Sequence, residues 1–383
     1  MKFNLPSGMR DWLPGEAYYK RELINKMLER ISLWGYEEIE TPIMENYRVL
    51  LPGESQSGPD QLYKLIDRDG SILALRPEMT TPIARVVSSK LQGNIPWRLM
   101  YSGEVFRYEE IQVGKQREFS QVGVELIGTE GADSDAEVLA LAIETLLATG
   151  LNSFTISLGH SGVLRGLLES LSWEETQLNQ VRTLILEKDF VGLSSVLMDA
   201  GLSKKKIEYL VGLLTSQLSL EDLEKEWTDV PVGVVKALED LKEILKKLKI
   251  YGYDKYVQVD LSTLRSQEYY TGVVFEIYTN GIGYPIGGGG RYDRLFQKYG
   301  KNHPAIGFAL GIDRIILSLS GKVEKGKPLF LAGKVLEDVI SKARELRGEG
   351  VKVIMETKKI TRSEAEEMAG KKGAKLFWCE EEA

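Results

Sequence analysis

The sequence predicts an α+β protein, and three features carry that prediction. In the first 160 residues, helices are separated by pairs of strands rather than alternating with single ones. From His160 to about Leu248 the pattern is almost wholly helical and rich in Leu, Glu and Lys, so it reads as a helical insertion. After a lysine-rich, glycine-punctuated linker from Gly321 to Pro328, strands and helices alternate in a small β/α unit. The chain of 383 residues is long enough for a large core and more than one domain. The boundaries expected are 1–321 for the large domain, with the insertion at about 161–250, and 328–383 for the small one.

Composition narrows the function. Lys plus Arg number 49 and Asp plus Glu 56, a net charge of −7. Nothing in that balance advertises a polyanionic partner, although a total conceals local patches. Cys379 is the only cysteine, which excludes a disulfide framework and a thiolate metal site. His160 and His303 are the only histidines and stand far apart in sequence, so no metal site and no cofactor is expected. The N-terminus has no apolar signal region and no run of about 18 apolar residues occurs, so the expectation is a soluble, cytoplasmic protein without membrane contact.

The elements follow in order. Pro14-Gly15-Glu16 opens a helix in which Leu23, Ile24, Met27, Leu28, Ile31 and Trp34 recur at helical spacing, with Gly35 as its stop. Tyr36 to Ile43 reads as a strand, with Ile39, Thr41 and Ile43 on one face and Glu38 and Glu40 on the other. Ile72 to Leu75 is a short apolar strand. Thr81 then Pro82 is expected to be the N-cap and first residue of a helix reaching about Leu91. Arg98 to Arg107 and Arg117 to Gly128 read as strands joined by a polar loop, and Asp133 to Thr149 as a helix. Val257 to Leu261 and Gly272 to Thr279 read as strands, with Asn280-Gly281 as a hairpin turn. In the small unit, strands at Pro328 to Ala332, Val351 to Met355 and Lys375 to Trp378 alternate with helices near Glu337 to Arg347 and Ser363 to Ala369.

Several residues could carry chemistry. Strand alternation puts Phe119, Gln121, Gly123, Glu125 and Ile127 on one face, and Ser120, Val122, Val124 and Leu126 on the other, which can enter a core. An amide and a carboxylate therefore point the same way with Gly123 leaving space between them, a face able to receive an ammonium and a polar side chain. The same pattern also suits a plain solvated sheet face. Glu78 stands just ahead of a helix, where negative charge is stabilising, so simple capping is a competing role. Arg107 offers a planar, bidentate fork to paired oxygens. Gly287 to Gly290, followed by Arg291-Tyr292-Asp293, lacks the Lys-Ser/Thr ending of a P-loop; the glycines allow close backbone approach or a tight turn.

Four segments together resemble the catalytic domain of the histidyl-tRNA synthetase family. They are Leu75-Arg76-Pro77-Glu78-Met79-Thr80-Thr81-Pro82-Ile83-Ala84-Arg85; Phe106-Arg107-Tyr108-Glu109 with Arg117-Glu118-Phe119-Ser120-Gln121-Val122-Gly123-Val124-Glu125; Arg265-Ser266-Gln267-Glu268-Tyr269-Tyr270-Thr271-Gly272; and Gly287 to Asp293 with Gly307-Phe308-Ala309-Leu310-Gly311-Ile312-Asp313-Arg314. The resemblance spans roughly residues 1–321. It implies a class II synthetase-like antiparallel sheet flanked by helices, and a homodimer built through the first long helix and the strand after it. It also implies a histidine pocket made by Glu78, Thr80, Arg107, Gln121, Glu125, Arg265, Tyr269 and Tyr270. Glu78 and Thr80 would hold the α-amino group, Arg107 the carboxylate, and the tyrosines would line the imidazole pocket.

The departures from the synthetase pattern choose a branch. Glu110-Ile111 replace a usual Arg-Pro, Gly114-Lys115-Gln116-Arg117 replaces a more basic run, and Ser120 and Met79 replace a usual histidine and glycine. These changes gather where ATP and the tRNA end would sit, and a carboxylate near a triphosphate is repulsive at low dielectric. The C-terminal unit is about half the length of a full anticodon-binding domain by resemblance. Met79 to Arg85 is similar instead to the paralogous regulatory subunits of ATP phosphoribosyltransferase. The expectation is then a non-catalytic regulatory subunit acting in the first step of histidine biosynthesis, with no aminoacylation and no tRNA binding. Its partner would be a short catalytic subunit that joins ATP and phosphoribosyl pyrophosphate, and histidine would be its effector. Glu109, Arg117 and Arg314 would remain from a vestigial nucleotide site. The alternatives are a histidyl-tRNA synthetase with a shortened C-terminus and a histidine-binding regulator of another complex.

Overall fold

A nine-stranded sheet organises the first of two units, Met1–Leu319; the second is Ser320–Ala383. The computed structural model describes residues 4–51, 61–93, 95–108, 116–169, 173–225, 231–263, 270–319 and 328–380. In chain order the first unit begins with α1 (Pro14–Ser32), β1 (Glu37–Glu38), β2 (Met44–Asn46), α2 (Tyr47–Leu50), β3 (Lys64–Ile66), β4 (Ile72–Leu75) and α3 (Thr80–Ser89). It continues with β5 (Trp97–Phe106), β6 (Glu118–Ile127), α4 (Ala132–Ala148) and β7 (Phe154–His160). The insertion carries α5 (Ser161–Glu169), α6 (Glu175–Leu186), α7 (Phe190–Asp199), α8 (Lys204–Thr215), β8 (Gln217–Leu218), α9 (Leu220–Leu223) and α10 (Val232–Tyr251). The chain then returns through β9 (Val257–Asp260), β10 (Val273–Thr279), β11 (Gly287–Arg291), β12 (Ala305–Gly311) and α11 (Ile312–Ser318).

The strand order is β1-β5-β6-β12-β11-β10-β7-β9-β8. From β5 through β7 every neighbour is antiparallel, while β1–β5 and β7–β9 are parallel. Helix α1 buries Leu23, Ile24, Met27 and Ile31, a stripe at helical spacing, and Gly35 beyond its end has φ +77°. That stripe meets the inward residues of α4 and Val122, Val124 and Leu126 of β6 in the main core. The opposite face of β6 is buried as well. Met79, Ile83, Tyr101, Val105, Tyr292 and Phe296 form a second core over it. This two-sided cover makes the sheet's centre a dry place for polar side chains.

The structure corrects four expectations. The strand expected at Tyr36 to Ile43 pairs with β5 only at Glu37 and Glu38, then leaves the sheet. Arg76, only 4 % exposed, draws the departing chain aside by donating to the Thr41 carbonyl at 2.6 Å. Helix α3 begins at Thr80, so Pro82 is its third residue and Thr81 is not the cap; the carboxylate of Glu78 takes that task. Strand β7, absent from the sequence reading, is the central partner of β10. Its alternation is present in the sequence, Phe154, Ile156 and Leu158 being buried while Thr155 between them is exposed and Ser157 half-buried. Asn280-Gly281 does not make a two-residue hairpin, because pairing resumes only at Ile277 with Gly287.

The second unit is a parallel sheet of order β14-β13-β15, made by β13 (Leu329–Gly333), β14 (Val353–Met355) and β15 (Lys375–Cys379). Helices α12 (Leu336–Gly348) and α13 (Arg362–Lys371) connect the strands. Leu331 packs with Val339 and Ala343 of α12, whereas Phe330 and Ala332 pack with Ala365 and Ala369 of α13. Alternation along β13 thus serves a helix on each face.

One buried ion pair ties the sheet to α4. Arg291 donates to Asp135 Oδ1 through Nε and Nη2 at 2.8 and 2.6 Å, to Ser134 Oγ at 2.8 Å and to the Thr129 carbonyl at 2.9 Å. Removing the Asp135 carboxylate would leave the buried cation only Asp293, whose Oδ1 lies 3.1 Å from Nη1 and whose side chain is 34 % exposed. Asp135→Ala should lose about 3–5 kcal/mol in urea unfolding. The exposed pair Lys204–Glu208 should cost less than about 1 kcal/mol when broken by Lys204→Ala. Equal losses would mean that the Arg291 network bears no special share of stability.

Candidate functional site

A cavity of about 110 Å³ opens over the centre of the large sheet, floored by β6, β12 and β11 and capped by the start of α3. Its existence depends on missing side chains. A Cβ on Gly123 would overlap the Phe308 carbonyl and the Tyr101 hydroxyl, and one on Gly307 would overlap the carboxyl of Glu125. Register sets Gly307 directly opposite Glu125, so the bare strand β12 leaves the room that the carboxyl occupies.

Glu125 is the centre of the site. It is 1 % exposed, and its two oxygens are held by hydroxyls from two elements. Thr80 Oγ1 donates to Oε1 at 2.8 Å, and the Tyr292 hydroxyl donates to Oε2. Burial pushes the Glu125 carboxyl up to about 8, with the charge of Glu78 pushing the same way and the two hydroxyl bonds opposing. Burial therefore holds this carboxyl mostly protonated at neutral pH.

Gln121, two positions along the same face, is 8 % exposed, and among the described residues its buried Oε1 has no partner. An acceptor left this way is costly until a donor arrives. Glu78 spends both oxygens on α3, accepting from Thr80 N at 2.6 Å and Thr81 N at 2.9 Å. It lines the cavity while capping the helix, so the two roles weighed for it coexist. Arg107 donates through Nε to the Pro77 carbonyl at 2.8 Å and stands over the Phe119 ring. Among the described residues nothing pairs with its outer nitrogens. Tyr270 also lines the cavity.

Arg314 lines the far end of the cavity, donating to the Pro285 carbonyl at 2.6 Å and lying over the Tyr284 ring. Beside it Asp313 accepts from Ser120 N at 2.9 Å, and burial raises its carboxyl. Arg117 is not part of the lining; it stacks over Tyr108 and packs on Gly8. Arg265, Tyr269 and Glu109 fall outside the described residues. Met79 is buried in the second core, and Ser120 turns away from the cavity to donate to Glu104 at 2.9 Å. Sequence reasoning missed Tyr292 as a contact of Glu125. Its signal was present: it follows the Gly287–Gly290 run on the strand next to β12. Among the described residues no cluster of His, Cys, Asp or Glu is arranged to hold a metal.

The cavity thus gathers the Arg107 guanidinium, whose outer nitrogens meet no described partner, a buried carboxyl and an amide oxygen without a described donor. That arrangement complements a small molecule with a carboxylate at one end and N–H donors at the other. The sign of the pH response follows from Glu125. Its folded value lies above the 4.5 of an ordinary glutamate, so its contribution to stability is complete below about 4.5 and is lost as pH rises through about 8. Glu125→Gln keeps acceptor capacity without the charge. It should match the parent in denaturant unfolding at pH 5 and be more stable at pH 8.5. An unchanged difference between the two pH values would show that Glu125 titrates normally.

Comparisons with known proteins agree with one another. A family model described as histidyl-tRNA synthetase matches residues 8–315. An ATP phosphoribosyltransferase regulatory subunit of Moorella thermoacetica is 37 % identical over 100 % of this chain and 99 % of its own. One from Desulfitobacterium hafniense is 39 % identical, covering 98 % of this chain and 97 % of its own. A solved Bacillus halodurans protein, described as an ATP phosphoribosyltransferase regulatory subunit/histidyl-tRNA synthetase, superposes with TM-score 0.87 at 35 % identity over the full length of both chains. A Nostoc histidyl-tRNA synthetase shares the fold, with TM-score 0.82 at 23 % identity over 97 % of this chain and 90 % of its own.

Proposed function

The chain belongs to the histidyl-tRNA synthetase family and, within it, to the ATP phosphoribosyltransferase regulatory subunits, and from that premise we propose that its cavity is a histidine sensor. It is a non-catalytic subunit of the enzyme that opens histidine biosynthesis. The observation that carries the sensor reading is the pairing, in one cavity, of the unengaged Arg107 guanidinium with the buried Glu125 carboxyl and the orphan Gln121 oxygen. Arg107 takes the carboxylate of histidine. Glu125, Thr80 and Gln121 take its nitrogen donors, and Tyr270 lies against the ring. Arg265 and Tyr269 belong to the site in the family pattern, which also assigns Glu109, Arg117 and Arg314 to a vestigial nucleotide site; of these three Arg314 lines the cavity.

The partner is a short catalytic subunit that joins ATP and phosphoribosyl pyrophosphate, in the cytoplasm, where the substrates of that biosynthesis lie. No described helix is long and apolar enough to cross a membrane. A homodimer takes support from β2-β4-β3, a small sheet on which Met44, Leu65, Leu73 and Leu75 share one face by register. Met44 and Leu65 are largely exposed, and among the described residues this face joins no core. Histidine acts on the assembly only through different affinities for its active and inactive states.

Two outcomes test the reading. Mixed with its cognate catalytic subunit at micromolar concentration, the chain should co-elute on size exclusion and raise phosphoribosyl-ATP formation, while alone it makes none. Separate elution with unchanged activity would sink it. The rival reading, a synthetase with a short C-terminus, predicts histidine-dependent pyrophosphate exchange at about 1 per second or faster; the regulatory reading predicts none.

The pocket is tested apart from the partner. Glu125→Ala leaves the Val122, Val124 and Leu126 face in place and should weaken histidine binding about tenfold or more in calorimetry, since one side of a desolvated polar pair is lost. Feedback inhibition should weaken in parallel. Lost binding with full inhibition would move the sensor elsewhere, and unchanged binding would show the pocket to be misplaced.

A further inference from the structure

The helical insertion reaches the segment that follows Tyr270 of the cavity lining at the start of α5. Helix α5 starts directly at the end of β7, and Ser161 N donates to the Gly272 carbonyl at 2.9 Å. One turn later, Arg165 Nη2 donates to the Thr271 carbonyl at 3.0 Å and to Ser161 Oγ at 3.4 Å. Among the described residues no carboxylate pairs with Arg165, so its charge is spent on that carbonyl. Thr271 directly follows Tyr270, which lines the cavity.

Every other polar group of Thr271 is held by the end of β11. Its N–H donates to the Arg291 carbonyl at 2.8 Å, its hydroxyl donates to Asp293 Oδ2 at 2.9 Å, and Asp293 N donates to that hydroxyl at 3.0 Å. Between those two residues stands Tyr292, the donor to Glu125. Thr271 is therefore a junction with the cavity floor on one side and the insertion on the other.

Helix α5 is not free to move alone. At Gly166, beside Arg165, a Cβ would meet the Gly233 carbonyl carbon and Val234 N of α10 at 2.7 Å. The two backbones touch there, and Val163, Leu167 and Leu168 anchor the rest of α5 in the main core. Close-packed elements shift as units, so a displacement of α10 carries α5 with it.

We propose that Arg165 is a positioning residue that couples the helical insertion to the cavity. Through the Thr271 carbonyl it sets Tyr270 against the ligand. By reciprocity, a ligand in the cavity stiffens α5. The ligand half of this proposal rests on the reading of the cavity as a histidine site; the positioning half does not.

Hydrogen exchange and calorimetry on the full-length chain separate the two. In ligand-free protein, Arg165→Ala should speed amide exchange across residues 270–275 relative to the parent. It should also weaken histidine binding about tenfold, the effect of losing one charged hydrogen bond. Arg165→Lys, which keeps a cationic donor, should recover most of that affinity. Histidine should slow exchange in residues 163–168 of the parent but not of Arg165→Ala. Unchanged exchange at 270–275 in Arg165→Ala, or histidine binding that leaves residues 163–168 untouched in the parent, would overturn the coupling. Should Arg165→Ala fail to fold, Arg165→Gln, a neutral donor of similar length, supplies the same comparison. A parent chain that binds no histidine would overturn the ligand reading instead, with the ligand-free exchange still deciding whether Arg165 positions the junction.

Discussion

The Glu125 carboxyl in the middle of a sheet covered on both faces is the constraint around which the first unit is arranged. A carboxyl that is 1 % exposed is tolerable only if its oxygens are satisfied and its charge can be given up. Both conditions are met. Thr80 and Tyr292 hold the two oxygens, and burial raises the group until it keeps its proton at neutral pH. The surrounding sequence follows from this. Gly307 and Gly123 have no side chain because the carboxyl and the Tyr101 hydroxyl fill that space. Helix α3 must begin at Thr80 so that its hydroxyl reaches Oε1, which is why Glu78, rather than Thr81, serves as the cap.

The arginines of the recognised segments divide by what their outer nitrogens meet. Arg76 is locked on the Thr41 carbonyl, Arg85 on Glu45 at 2.6 Å, and Arg291 on Asp135. All three hold the fold. Arg107 spends only Nε on a neighbouring carbonyl and keeps a planar face on Phe119, which fixes the guanidinium while leaving its fork open. A cation held rigid but uncompensated is poised for an anionic group of matching geometry, and the energy of ordering it has already been met by the fold.

Much of this was legible in the sequence. Period-two alternation along residues 119–127 separated Gln121 and Glu125 from Val122, Val124 and Leu126, and the structure keeps that division. The α1 stripe and the β/α order of the second unit were equally plain, because each is a periodic pattern with one buried side per element. What failed was whatever depends on partners far away in sequence. Strand β7 is an exception, since Phe154, Ile156 and Leu158 alternate with Thr155 and Ser157 and that pattern was there to be read. The strand after α1 ended early because Arg76, more than thirty residues on, competes for its carbonyls. Tyr292 was passed over because only the β11–β12–β6 order brings it to Glu125.

The cavity is lined by polar groups that their described neighbours leave unsatisfied, and that property suits it to sensing. Among the described residues no donor meets Gln121 Oε1, and no anion meets Arg107. Glu125 must choose between a proton and a charge. Each of these is a standing cost that a ligand of the right polarity removes. A site of this kind changes its internal hydrogen bonding strongly on filling while its walls stay close-packed. Close-packed walls do not absorb such a change locally; they pass it to whichever neighbour has a second arrangement available. The junction at Thr271 is where the cavity floor touches helices that are not part of the sheet, so a discrete change in the pocket can leave the sheet there. A scaffold built to hold an amino acid can therefore serve regulation without new machinery, because recognition and transmission draw on the same buried polar groups.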